Sequence, residues 1–134
     1  MPIIYKTTQR KPLKMNVSFI QPSELKGMKS DFILPKKLNN QSFIIAVKSE
    51  NMVQSFVYFT VYSDFIHINY SFTGTQFRRM GLSIFLREYL IKYARNQNIR
   101  KIVSVPFDTA NSMPLLKKMG FEKCEADDSF MLRL

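Results

Sequence analysis

Between Ser42 and Val105 the hydrophobic period of the chain changes from two to 3.6 and back again, which restricts the possible folds sharply. Ser42 to Val47 (SFIIAV) is a compact apolar run of the kind found in buried strands. Val53 to Tyr62 (VQSFVYFTVY), rich in β-branched and aromatic residues, is a second strand. The polar link Lys48 to Asn51 is short enough to make the two a hairpin. After Asp64 a third strand runs from Phe65 to Phe72. Simple alternation puts Ile66, Ile68, Tyr70 and Phe72 on one face and Phe65, His67, Asn69 and Ser71 on the other. Next, Leu82, Phe85, Leu86, Tyr89, Leu90, Tyr93 and Ala94 recur at helical spacing, with Arg87, Glu88, Lys92 and Arg95 on the solvated side. Lys101 to Val105 (KIVSV) is a short strand closed by Pro106. An antiparallel meander followed by strand–helix–strand calls for a right-handed parallel crossover, so the class is α/β in the α+β sense.

The flanks add smaller elements. Met15 to Ile20 alternates weakly and is a candidate first strand. A short helix is expected over about 24–33, with Ser23 as N-cap and an end before Pro35. A second helix is expected over about Ser112 to Met119, with Pro114 in its first turn and Gly120 as the C′ residue. Phe121 to Glu125 and Phe130 to Leu134 form a closing hairpin about Ala126 to Ser129. There is no repeat or linker, and 134 residues suffice for a single domain spanning 1–134 with a real core.

Composition removes several classes of function. One cysteine, Cys124, rules out an intramolecular disulfide, and with one histidine no conventional metal centre is expected. No apolar run approaches the roughly 20 residues of a spanning helix. Lys6, Arg10, Lys11 and Lys14 precede Pro22 with no acid among them, but without a clear amphipathic helix they are taken as an ordinary N-terminal segment. The expected location is intracellular, cytoplasmic or nuclear, with an organelle left open. The net charge of +10 favours anionic partners: a phosphorylated cofactor, nucleic acid, an acidic protein surface or anionic lipid.

The ligand chemistry is clearest at Arg78-Arg79-Met80-Gly81-Leu82-Ser83, between the third strand and the amphipathic helix. The first N–H groups of a helix have no partner within it, and the macrodipole makes that end positive. A diphosphate can dock on those amides where no bulky side chain intervenes. Gly81 allows a close approach, and Arg78 and Arg79 add permanent charge.

The order strand, Arg-x-x-Gly-x-Ser, amphipathic helix, strand, short helix, Met-Gly-Phe-Glu resembles the GCN5-related N-acetyltransferase (GNAT) superfamily. The resemblance covers about residues 42 to 134 well and the earlier part loosely. The family's coenzyme A signature, Gln/Arg-x-x-Gly-x-Gly/Ala, stands here as Arg78, Gly81 and Ser83, and a later hallmark as Lys118-Met119-Gly120-Phe121. The resemblance implies a mixed, mostly antiparallel sheet of about six to seven strands flanked by helices, with a cleft where the fourth and fifth strands splay. It also implies that the pantetheine arm pairs with backbone near Phe72 and Thr73, and that the diphosphate sits on the amides of Arg79 to Ser83, a run that includes Met80 and Leu82.

The activity implied is acetyl-CoA-dependent N-acetyl transfer to an amine, with acetyl-CoA as co-substrate and no metal. A lysine side chain, a protein N-terminus and a small-molecule amine all remain open as acceptors. Relatives often carry a base on the fourth strand. In the histone acetyltransferases it is a carboxylate eleven residues before the motif's Gln/Arg, a position held here by His67. An unperturbed imidazole, with a pKa of about 6.5, suits that role. Asn69 could orient a water or substrate, whereas Asp64 and Glu50 are weaker candidates because they fall in turns. Two departures stand out. Leu116 occupies the place of a tyrosine that serves the leaving sulfur in many relatives, and Thr109 that of an asparagine; Asn111, out of register, is expected to cap the helix. These departures motivate an alternative: a non-catalytic scaffold or binding subunit contacting nucleic acid or an acidic protein through its basic surface.

Overall fold

The computed structural model describes residues 16–26, 28, 34–50, 52–105, 109–124 and 127–134, with backbone alone at 109–112. The basic residues before Pro22, Met15 and Pro106 lie outside that set or before its start. Seven strands form one sheet: β1 (Val17–Ile20), β2 (Ser42–Ser49), β3 (Met52–Val61), β4 (Phe65–Thr73), β5 (Lys101–Ser104), β6 (Glu122–Lys123) and β7 (Phe130–Arg133). Their spatial order is β1-β2-β3-β4-β5-β7-β6, and every neighbouring pair is antiparallel except β4 and β5. Helix α1 (Leu82–Asn96) makes the crossover between those two parallel strands, and α2 (Thr109–Lys118) links β5 to the closing hairpin. The meander, the parallel crossover and the closing strand pair stand as the hydrophobic pattern predicts, although β6 is shorter than the expected Phe121 to Glu125, and Glu125 and Ala126 lie outside the described residues.

Both faces of the sheet are covered. Ile45, Val47, Val57, Phe59, Ile66 and Ile68 meet Leu82, Leu86, Leu90 and Ala94 of α1, together with Leu116, Phe121 and Phe130. On the opposite face Ile44, Ala46 and Phe56 gather Ile20, Leu25 and Val53, with Leu34, Leu38, Tyr70 and Phe72 against them. Two-sided burial explains why β2 is an unbroken apolar run rather than an alternating one.

Local structure differs from the sequence expectation in several places. The alternation assumed for β4 fails after Ile68, because Tyr58 pairs with Tyr70 while Phe59 pairs with Ile68. Asn69 is therefore an extra residue, a β-bulge, and one extra residue exchanges the faces of everything beyond it. Ile66 and Ile68 point to α1, whereas Tyr70 and Phe72 join the opposite cluster. The segment after Pro22 forms a 3₁₀ turn, Pro22–Leu25, preceded by Gln21 as cap rather than Ser23. Its Glu24 carboxylate accepts the Gln21 N–H at 2.9 Å. Most of the remaining expected span, residues 27 and 29–33, lies outside the described residues. Helix α2 starts three residues earlier than predicted, which puts Asn111 inside it rather than at its cap and makes Pro114 an interior residue. Lacking an N–H, Pro114 leaves the carbonyl of residue 110 without its helical donor.

Both helices stop at left-handed residues. Gly120 has φ 93°, donates to Lys117 O at 3.0 Å, and is followed by a Phe121 N–H bond to Leu116 O at 2.9 Å. This paired pattern closes the last turn of α2 and seats Phe121 in the core beside Leu116. Asn98, at φ 59°, ends α1 in the same way, with Ile99 N–H reaching Ala94 O at 2.8 Å.

Candidate active site and cofactor cleft

The parallel pairing of β4 and β5 runs from Phe65↔Lys101 to Ile68↔Ser104 and no further. β4 continues to Thr73. Among the described residues, nothing pairs with Asn69 to Thr73 on the β5 side, and that stretch is an open strand edge. The bulge at Asn69 coincides with the point where the strands part.

At the end of β4 a 3₁₀ turn, Thr75–Phe77, leads into the Arg-rich loop. Arg79 (φ 65°) and Gly81 (φ 77°) both take the left-handed conformation on either side of Met80. That pair of turns delivers the chain into α1 with Gly81 as N-cap. The Gly81 carbonyl accepts the Phe85 N–H at 3.0 Å, and no side chain caps the helix. The N–H groups of its first turn therefore lack internal partners and form a positive end. Leu82 anchors this end by burying its side chain in the core.

Arg78 is exposed, but its Nε donates to Thr73 O at 3.2 Å and its guanidinium lies 5.9 Å from the centre of the Phe72 ring. It thus ties the loop to the end of β4 while its remaining N–H groups stay available. Phe72, Thr73, Arg78, Arg79, Gly81, Leu82 and Ser83 line one cleft, together with Ser71, Phe77, Ile84, Arg87 and Leu115. Met80, the remaining residue of the predicted cofactor set, is exposed and is not among the lining residues.

Arg87 corrects the sequence reading. Expected on the solvated side of α1, it is only 5% exposed and faces the cleft. Its Nη2 donates to Ser71 Oγ at 2.9 Å and its Nη1 to Ser83 Oγ, while Nε is buried without a partner among the described residues. Burial holds the guanidinium well below its ordinary value, at about 10. The legible signal was the Ser83–Arg87 spacing of four, which stacks the two side chains one turn apart on a helix. Helical periodicity alone reads a charge beside Glu88 as solvated.

His67 sits one residue before the last β4–β5 pair, opposite Thr60 of β3. A polar chain runs from it along the sheet. His67 Nδ1 and Asn69 Oδ1 are 2.8 Å apart, Asn69 Nδ2 donates to Thr60 Oγ1 at 2.8 Å, and Thr60 Oγ1 is 3.0 Å from Ser42 Oγ. With the Asn69 amide turned this way, Oδ1 can only accept, so Nδ1 carries a proton, and the neutral form of the imidazole has its lone pair on Nε2. Asn69, expected to orient a water or substrate, has its side chain on His67 and Thr60.

The other candidates lie elsewhere. Glu50 is an exposed turn residue at φ 50°, and Asp64 an exposed turn residue whose carbonyl accepts from Arg100 at 3.4 Å. Leu116, at the family's tyrosine position, is 1% exposed within the core. Its neighbour Leu115 lines the cleft. The side chain of Thr109 lies outside the described residues. Cys124 is half-buried just beyond β6, its N–H on Ser129 O at 2.9 Å. Among the described residues no group of three or more His, Cys, Asp and Glu side chains could hold a metal, and no helix is long and apolar enough to cross a membrane.

Comparison with known proteins agrees with this architecture. No curated protein matches the chain significantly. Among solved structures, the E. coli protein YhhK bound to coenzyme A superposes with a TM-score of 0.75 at 11% identity, over 91% of this chain and 100% of that one. The ribosomal-protein-S18-alanine N-acetyltransferase of Escherichia coli gives 0.71 at 13% identity, over 90% and 93%. Ard1 of Thermoplasma volcanium gives 0.70 at 14% identity, over 91% and 99%. At such identities the likeness is one of fold. The family profile described as acetyltransferase (GNAT) family matches residues 14–121, which include the meander, the Arg-rich loop, the crossover helix and Gly120-Phe121. The chain therefore belongs to the GNAT family of N-acetyltransferases, enzymes of acetyl-CoA-dependent acetyl transfer.

Proposed function

We propose that this chain transfers acetyl from acetyl-CoA to an amine, with the cofactor held along the open edge of β4 and over the first turn of α1. The observation that carries the reading is the uncapped α1 terminus, with left-handed Arg79 and Gly81, standing beside an unpaired strand edge. Such a terminus suits a diphosphate, and an open edge suits an extended amide-containing arm. The orphaned Nε of buried Arg87 is a further sign that the cleft is made for negative charge.

In this reading the amides of Arg79 to Ser83, with Met80 and Leu82 contributing backbone only, hold the diphosphate. Arg78 and Arg79 neutralise charge at its rim. Backbone at Phe72 and Thr73 fixes the register of the pantetheine arm. Bound acetyl-CoA supplies the activated acyl group. His67 accepts the amine proton on Nε2, directly or through one water, and Asn69 fixes the ring and keeps the other proton on Nδ1. Leu116 cannot serve the leaving sulfur, because it has no proton to give and no access to the cleft. Thiols ionise near pH 8.5, so departure without a protein acid is feasible at mildly alkaline pH. The acceptor is an amine, and the net charge of +10 favours one carried on an acidic molecule.

The test is calorimetric titration with acetyl-CoA and with CoA, followed by acetyl transfer to a panel of acidic peptides and small amines. Gly81→Glu should remove CoA binding, and His67→Ala should lower turnover while sparing cofactor affinity. Absence of binding at millimolar CoA would refute the cofactor assignment. Unchanged turnover of His67→Ala at every pH would remove His67 from the mechanism.

A further inference from the structure

Arg87 is the one buried cation among the described residues, and its hydrogen-bond partners there are two serines rather than a carboxylate. Its two hydrogen-bond partners belong to different elements: Ser71 to β4 and Ser83 to the first turn of α1. Interior charge is tolerated when it is hydrogen-bonded and neutralised. Here the hydrogen bonds are incomplete, since among the described residues Nε has no acceptor, and no ion pair among them neutralises the guanidinium.

The direction of the bonds has a chemical consequence. A guanidinium can only donate, so Ser83 Oγ must accept from Nη1. The Ser83 hydroxyl hydrogen is then free to point away from Arg87. Ser83 is the second residue of α1, among backbone N–H groups that have no helical acceptor. Accepting a bond from a cation polarises the hydroxyl and makes it a stronger donor to a third group. That group would have to be an acceptor carrying negative charge, placed at the helix end.

We propose that Arg87 is a positioning residue of the cofactor cleft: by tying Ser71 to Ser83 it turns the Ser83 hydroxyl outward as a donor to the diphosphate of a bound acyl-CoA. The inference rests on the cofactor reading above and deepens it. It also gives Ser83, where the motif would have glycine or alanine, a specific purpose. The guanidinium acts from beneath the loop, through Ser83 and by its field, rather than by touching the ligand. The diphosphate in turn supplies the charge that Arg87 lacks. Ligand binding and the stability of a buried cation are thereby coupled.

The experiment compares wild type, Arg87→Met, Arg87→Lys, Ser83→Ala and the Arg87→Met/Ser83→Ala double variant. Two readouts are used: calorimetric titration with CoA, and thermal stabilisation by millimolar inorganic pyrophosphate. Wild type should bind CoA and be stabilised by pyrophosphate. Arg87→Met should remain folded, lose at least tenfold in CoA affinity and show little pyrophosphate stabilisation. Arg87→Lys should recover part of the affinity. The double variant should bind no worse than Arg87→Met, because both changes remove one coupled unit. The proposal is overturned if Arg87→Met binds CoA like wild type, or if the two single losses simply add. Should wild type itself fail to bind CoA, the cofactor reading falls first. Should wild type bind CoA while pyrophosphate stabilises Arg87→Met as strongly as wild type, only the role of Arg87 falls.

Discussion

Substituting tyrosine for Leu116 would restore the residue expected at that place in many relatives, yet the structure predicts loss rather than gain. Leu116 is 1% exposed, packed among the residues that α1 and the sheet bury, and its carbonyl accepts the Phe121 N–H that closes α2. A tyrosine ring there exceeds the space of a leucine, and overpacking a filled core costs about 1–3 kcal/mol. Its hydroxyl would lie inside an apolar cluster, where an unsatisfied polar group costs a further ~1–3 kcal/mol. The sum, about 2–6 kcal/mol, is comparable with the whole stability of a small domain, about 5–15 kcal/mol. Urea unfolding followed by circular dichroism would report the midpoint, and acetyl transfer the activity. Leu116→Tyr should shift the midpoint down strongly and transfer no faster. Leu115→Tyr is the control, because Leu115 lines the cleft and is only half-buried. It should keep stability within about 1 kcal/mol, as surface-accessible changes do. A Leu116→Tyr protein that is as stable as wild type and turns over faster would refute the assignment of this side chain to the core.

Other consequences are simpler to state. Burial lowers the Arg87 guanidinium well below its ordinary value, to about 10, which corresponds to a penalty of about 3 kcal/mol. The unfolded chain holds this proton more tightly, so the penalty is fully present below pH about 10 and is relieved as pH rises above it. Loss of the two serine bonds offsets about 2 kcal/mol of it, so ligand-free Arg87→Met should gain about 1 kcal/mol at pH 8, a gain that shrinks above pH 10 in chemical denaturation. Asn69→Ala should lower turnover by roughly tenfold while leaving CoA affinity unchanged, because it releases the imidazole without touching the loop; a loss of affinity instead would relocate Asn69 to the cofactor. The Asp127 carboxyl is held below its usual range by side-chain and backbone bonds from Ser129. That contribution is present above pH ~4 and disappears as pH falls through the lowered value. Asp127→Ala should therefore flatten the acid end of the stability profile, and an unchanged slope would show that the turn bonds contribute nothing.

The amino-acid sequence carried the meander, the parallel crossover, the closing hairpin and the stop at Gly120, because each is written in local period or in a residue with special backbone freedom. It also carried the Arg-rich loop, since a glycine and two arginines at the head of an amphipathic helix have a chemistry independent of what surrounds them. What it could not carry depends on contacts between distant segments. The bulge at Asn69 arises from how β4 pairs with β3, and it reversed the faces assigned to Tyr70 and Phe72. The extent of the open edge was set by β5 ending at Ser104 while β4 continues to Thr73. Arg87 is charged, and sequence pattern alone assigns charge to water; only the approach of Ser71 from another element revealed a buried cation with acceptors on two sides. Period and propensity act within a few residues, whereas burial and register are properties of the assembled sheet. For that reason the sequence determined the order of elements and the Arg-rich loop, and the tertiary structure alone decided which side chains meet in the cleft.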